Sequence, residues 1–351
     1  MPRGYDINGR MDRVLTEKLR LKAILENQTI DRPPVICPGG MMSAATTAVL
    51  HTTSEDFHSD PLVMAQIAEV IRHKTGFENI GVPFCMTVEA ELFGSLVDMG
   101  DSSVEPHVTQ YGAREIAEMM SRPLPNPKEH GRSPVVLSAI KYLVARNRDI
   151  PIIGNITGPI SLVTSIMDPL TIFRLLRKKP EEVELVLNYL TDYLIEFARE
   201  QVDAGADVIA IADPTATGEI LGHVNFQRFV TPMLLRLVRE IRAKGAGVIV
   251  HICGNATVLL PELRELRGAV LSFDSIVSLS KAKQTLGGIP VMGNVNTQLL
   301  HRGSPEKISQ MTSLLVEQGI DIIAPACGIS LATPVENLVA LTNTVKKMKR
   351  P

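Results

Sequence analysis

Ala246-Gly-Val-Ile-Val-His251-Ile-Cys253-Gly-Asn255 is a short apolar, β-branched run that ends in two metal-ligating side chains and a turn. Continuous apolarity over so few residues marks a strand buried on both faces, as in a parallel sheet; a half-exposed strand would alternate. Helical patterns flank it at 226–244 and 255–266. The same unit recurs in both directions along the chain. Ala206–Asp213 precedes it, and Gly268–Asp274, Ile289–Asn294 and Ile320–Ala324 follow, with helical stretches at 277–285, 304–318 and 335–349. Upstream lie Pro34–Pro38, Asn79–Phe84 and Pro151–Thr157, with helical patterns at 61–75, 169–177 and 180–203. Residues 11–26 add a helical pattern before the first strand. Eight strands alternating with helices predict an α/β fold, a (β/α)8 TIM barrel with an N-terminal helical extension, as one domain over 1–351. A doubly wound open sheet fits the same periodicity and is the alternative.

Composition narrows the function classes. A chain 45% hydrophobic and 21% charged can bury a large core and is not a disordered segment. Net charge is -2, tryptophan is absent and aromatic residues make up 4%, so neither nucleic acid nor a membrane surface is an expected partner. Four cysteines in 351 residues do not form a disulfide framework. The start, Met1-Pro-Arg-Gly-Tyr-Asp6, lacks an apolar signal region, and no apolar run approaches membrane-spanning length. The expected location is therefore cytoplasmic, where thiols remain available as ligands. Residues 99–132, with Pro123, Pro125 and Pro127 among mixed charges, read as a long connection between the second and third strands. Such a connection is either a lid or binding loop, or an ordinary surface excursion.

In a barrel, chemistry gathers at the C-terminal ends of the strands. His251 and Cys253 stand at the end of the fifth strand and Cys327 at the end of the eighth. Two thiols and an imidazole make a three-ligand zinc site with the fourth position left for substrate, the catalytic rather than the structural pattern. The plain alternative is a pair of cysteines buried as small hydrophobes and a histidine satisfied in the core. Asp274, ending the sixth strand, is a candidate fourth ligand or a partner orienting His251, or simply a buried hydrogen-bonding group. Glu89 and Asp213 are the carboxylate candidates for catalysis, with Asp213 alternatively a helix cap. Asn155 and Asn294 are candidates for holding a cofactor or acceptor. All four are expected to line the barrel mouth near the zinc.

Several longer motifs carry a resemblance. Val82-Pro-Phe-Cys-Met-Thr-Val-Glu-Ala-Glu91, Gly154-Asn-Ile-Thr-Gly-Pro159, Ala212-Asp-Pro-Thr-Ala-Thr-Gly218, His251-Ile-Cys-Gly-Asn255 and Cys327 resemble the uroporphyrinogen decarboxylase superfamily, in its methylcobamide:coenzyme M methyltransferase branch. The opening Arg20-Leu-x-Ala-Ile-Leu, followed by Asp31-Arg-x-Pro34, matches the superfamily start. The resemblance implies a TIM barrel, a catalytic zinc held by His251, Cys253 and Cys327, and a methyl group delivered from a methylated corrinoid carried by a partner protein. The acceptor it implies is coenzyme M; another thiol or tetrahydrofolate stays open, because Pro38-Gly-Gly-Met-Met-Ser43 offers no anion clamp for a sulfonate. Two alternatives stand beside it. One is transfer from a small methylated donor to a corrinoid protein. The other is a metal-free porphyrinogen decarboxylase-like enzyme, disfavoured because Cys37-Pro-Gly-Gly-Met-Met42 contains no arginine to grip carboxylates.

Overall fold

The computed structural model describes residues 14–39 and 53–348. Residues 11–13 of the expected first helix and Gly40–Ser43 of the turn after the first strand lie outside the described residues. The strands, in chain order, are β1 (Ile80–Val82), β2 (Leu96–Asp98), β3 (His107–Gln110), β4 (Ile152–Thr157), β5 (Val208–Ala212), β6 (Gly247–Ile252), β7 (Val270–Phe273), β8 (Val291–Val295) and β9 (Ile322–Pro325). Seven of them form one parallel sheet in the order β1-β4-β5-β6-β7-β8-β9.

The eighth position is filled by the Pro34–Cys37 segment. Val35 bridges Ile323 in parallel, with the Ile36 N–H donating to the Ile323 carbonyl at 3.1 Å and the Ile323 N–H to the Pro34 carbonyl at 3.0 Å. On its other side the Glu78 N–H donates to the Val35 carbonyl at 2.9 Å. The two edges of the sheet therefore meet across this segment and the barrel closes, which excludes the open sheet. The segment is short because Pro33, Pro34 and Pro38 have no N–H to offer a ladder.

Alternate strand residues fill the barrel. Ile36, Ile153, Val208, Ile249, Val270, Met292 and Ile322 form an apolar cluster with Leu21, Ile24 and Ile30, separate from the larger cluster between strands and helices. Leu21 and Ile24 belong to the helix Glu17–Leu25, so the N-terminal extension plugs the N-terminal end of the barrel. Gly247, at the start of β6, makes room for this helix: a Cβ there would stand 2.4 Å from Leu25 Cδ1.

A buried ionic network fastens the plug. Arg20, 2% exposed, donates to Asp31 from Nε and Nη2 at 2.8 and 2.9 Å, and to Glu78 from Nη1 at 3.2 Å. Arg32 also pairs with Glu78, and the Glu78 carboxylate accepts the Val35 N–H at 3.1 Å. Helix, closing segment and β1 are thus held by one set of charges whose desolvation is offset by good geometry.

The expected helices at 61–75 and 180–203 coincide with Pro61–Thr75 and Pro180–Asp203, because proline favours the first helical position. The 99–132 connection is more ordered than expected. It contains β3, which pairs antiparallel with β2 just before it, and the helix Ile116–Met120. These strands escaped the periodicity because they are short and mostly exposed, with no buried face to write a pattern. Among the described residues no single helix is long and apolar enough to cross a membrane.

Candidate metal centre

Strand register builds the site. His251 sits opposite Ala212 of β5 and Ser272 of β7. Period-two alternation puts Cys253 on the same inward side as His251, and Cys327 arrives two residues past the end of β9. His251 Nε2 lies 3.1 Å from Cys253 Sγ, and the two sulfurs are 3.2 Å apart. The three ligand atoms all lie within 4.8 Å of one another.

The loop after β6 is clamped. Gly254 has φ 64°, a left-handed turn that suits glycine. Its N–H donates to Asp274 Oδ2 at 3.2 Å, and the Asn255 N–H donates to Glu219 Oε1 at 2.8 Å. Two carboxylates from neighbouring elements thereby hold the backbone that carries Cys253.

The trio could hold a zinc ion. Its donors are two soft sulfurs and an imidazole, the catalytic ligand count, and they face a cavity. A tetrahedral zinc would set the sulfurs roughly 3.7 Å apart, about half an ångström wider than here. Electrostatics points the same way. The hydrogen bond from Cys253 and the proximity of His251 outweigh burial and pull the Cys327 thiol down to about 4. Cys253 moves up, through its hydrogen bond to Cys327, burial and the charge on that sulfur. Without a cation the sulfurs share one proton; a bound dication would let both ionise.

The cavity, of about 290 Å³, opens at the C-terminal end of the barrel. Ala210, Ile249 and Met292 of the interior cluster form its floor, and His251, Cys253, Cys327, Asn155 and Thr157 line it. Glu105 and Pro106, from the β2–β3 connection, also line it.

Of the other expected site residues, only Asn155 reaches the wall. Its Nδ2 donates to the carbonyls of Pro38 at 3.0 Å and Pro83 at 3.2 Å, tying the closing segment to the end of β1. Glu89, Asp213 and Asn294 do not line the cavity, contrary to expectation, because buried backbone donors and acceptors claim them. Glu89, 1% exposed, accepts from the Thr157 N–H at 2.8 Å and the Thr157 hydroxyl at 3.1 Å; burial raises its pKa. Asp213 accepts from the Ile160 and Ser161 N–H groups at 3.2 and 2.8 Å. It therefore caps the helix Pro159–Ile166, whose own cap residue, Gly158, has no side chain to do so. Burial lifts Asp213 to about 6, against those hydrogen bonds. Asn294 donates to the carbonyls of Asp274 and Val277 at 2.9 and 2.8 Å.

Asp274 is not grouped with the three ligands and does not orient His251. Ser272 does: its hydroxyl lies 3.0 Å from His251 Nδ1. The sequence offers a charged residue, Asp274, at the strand end, but the β6–β7 register sets Ser272 beside His251 and leaves Asp274 level with the following loop. Counting back two residues from Asp274 is the signal that would have found it.

Residues 16–348 match the family Uroporphyrinogen decarboxylase (URO-D). The methylcobamide:CoM methyltransferase MtbA of Methanosarcina acetivorans is 30% identical over 339 residues, covering 95% of this chain and 98% of that protein. The chain belongs to the uroporphyrinogen decarboxylase family, in its methylcobamide:CoM methyltransferase branch. MtaA of Methanosarcina barkeri, another methylcobamide:CoM methyltransferase, is 30% identical over 343 residues, covering 93% of this chain and 96% of that protein. A solved methyltransferase from Methanosarcina mazei superposes with a TM-score of 0.89 at 31% identity, covering 95% of this chain and 99% of its own. The likeness to this branch therefore runs from the plug helix through Cys327.

Proposed function

We propose that this protein is a zinc-dependent methyltransferase that moves a methyl group from a methylated corrinoid, carried by a partner protein, to a thiol acceptor of the coenzyme M type, in the cytoplasm. The carrying observation is the convergence of His251, Cys253 and Cys327 on the wall of an open barrel mouth. Full-length similarity to methylcobamide:CoM methyltransferases supports the substrate pair.

Bound zinc acidifies a coordinated thiol, so that the acceptor would be present as its nucleophilic thiolate at neutral pH. Cys253 and Cys327 supply negative charge that keeps the acceptor sulfur electron-rich. Ser272 orients the His251 ring, and Asp274 and Glu219 hold the Cys253 loop. The acceptor sulfur would take the methyl carbon from the partner-borne corrinoid, whose cobalt would keep the electron pair of the broken bond. Asn155, which lines the cavity, is the residue offered to the acceptor. Glu89 and Asp213 act as positioning residues that stiffen β4 and the helix after it. The β2–β3 connection, which brings Glu105 over the mouth, serves as the binding loop that meets substrate or partner.

The test is the visible spectrum of methylcobalamin mixed with zinc-loaded protein and coenzyme M. Conversion to the cob(I)alamin spectrum is the expected result. If only homocysteine or tetrahydrofolate drives it, the acceptor is wrong and the methyl transfer stands. If no acceptor demethylates the corrinoid but a methylated donor methylates cob(I)alamin, the protein runs the opposite half-reaction.

A further inference from the structure

All four cysteines of the chain line the one cavity, and the metal reading uses two. Burial, with the charge of Cys327, pushes the Cys37 thiol up to about 12, leaving it protonated. Cys85, just past β1, stands in a different environment. Arg132 Nη1 donates to its sulfur at 3.4 Å and the Thr87 hydroxyl at 3.3 Å. Arg132, 5% exposed, is itself locked by Glu91 at 2.6 Å and by the Thr87 hydroxyl at 2.8 Å.

His58 adds to this setting. It is fully buried, packs edge-on against Phe84 at 6.2 Å, and neither ring nitrogen has a hydrogen-bond partner among the described residues. His58 is the largest of the influences that lower the Cys85 thiol, and the Arg132 and Thr87 contacts add to it. Two carboxyls act in the opposite sense: Glu89 and Glu105 both feel the Cys85 charge, and both are raised, chiefly by burial. Burial also pushes the Cys85 thiol up, but His58, Arg132 and Thr87 outweigh it and bring it down to about 5.

We propose that Cys85 is a second reactive centre of the cavity, a thiolate that small disulfides modify covalently and reversibly. The step balances. The Cys85 sulfur attacks one sulfur of R–S–S–R, a new S–S bond forms to Cys85, and the old S–S bond breaks. Its electron pair leaves on RS⁻, which takes a proton from solvent. Cys85 is oxidised and half of the disulfide is reduced. Because Cys85 shares the cavity with the His251–Cys253–Cys327 trio, the attached group occupies space in front of that trio. A free thiol reverses the step. This reactivity does not depend on the zinc reading.

The test uses full-length, zinc-loaded protein and 2-hydroxyethyl disulfide, with the label mapped to each cysteine by mass spectrometry. At about pH 6, Cys85 labels at least about tenfold faster than Cys37, and its rate is nearly flat up to about pH 8. Arg132→Met and Thr87→Val each slow labelling at about pH 6 by roughly tenfold and restore a rate that climbs with pH. An unlabelled Cys85, or a wild-type rate that climbs about tenfold per pH unit to pH 8, overturns the proposal. Should both variants fail to fold, the wild-type pH profile alone decides. Label on Cys253 and Cys327 would instead report absent metal and count against the zinc reading, separately from Cys85.

Discussion

The two ends of the barrel are built from opposite materials. At the N-terminal end a helix fills the mouth with Leu21 and Ile24, and Arg20, Asp31, Arg32 and Glu78 satisfy one another in a closed ionic set. At the C-terminal end the strands finish in side chains that face an open cavity, where His251, Cys253 and Cys327 bring their ligand atoms together. One end is complete without a ligand. The other gathers donor side chains around an open space, which is the usual division of labour in such barrels.

If the division holds, damage at one end leaves the other intact. Cys327→Ala removes one sulfur without opening a large cavity, so methyl transfer should fall by about three orders of magnitude or more while the melting temperature moves by a few degrees at most. The methylcobalamin spectrum and a thermal melt read the two together, and a collapse of the fold would show that the trio is structural.

Arg20→Met is the converse. It strands Glu78, 1% exposed, without one of its cations and should lower stability by about 3–5 kcal/mol, read from urea denaturation. Zinc stoichiometry in the folded fraction should stay at the wild-type value. A parallel loss of zinc would mean the ends are coupled.

Ser272→Ala sharpens the comparison within the upper end. Losing the hydroxyl on His251 Nδ1 frees the ring and should weaken zinc binding by about 10–100-fold. Chelator competition measures this, and unchanged affinity would return the orienting role to another group.

The smallest effect is in pH. At the lower end, burial would raise Asp31, but Arg20 outweighs it and holds the carboxyl below its ordinary value. That stability is present above the ordinary carboxylate range and is lost as pH falls through the folded value. At the upper end Asp213 is raised to about 6, against about 3.9 unfolded. Its contribution is full below about 3.9 and is lost as pH rises through about 6. Melting temperature against pH should therefore lose its acid limb in Asp31→Asn and its decline between about pH 4 and 6 in Asp213→Asn. Curves that lose the same limb in both variants would refute the opposite signs.

Much of this was readable in the chain. Short β-branched runs between proline-started helices write the barrel, and His251, Cys253 and Cys327 stand where strands end. Glu89, Asp213 and Asn294 stand there too, yet they turn to backbone groups. A carboxylate at a strand end looks the same in sequence whether it faces a cavity or caps the helix of the neighbouring strand. The β2–β3 pair was invisible because exposed strands carry no apolar period.

By itself the sequence determined the alternation of elements and the donor types at the strand ends, since both follow from local periodicity and side-chain chemistry. The tertiary structure alone decided which side chains share a space: that Val35 closes the ring, that Ser272 rather than Asp274 lies beside His251, and that Cys85 faces the same cavity as the trio. Register between strands, and contact between residues far apart in the chain, are relations between segments, and no single segment encodes them.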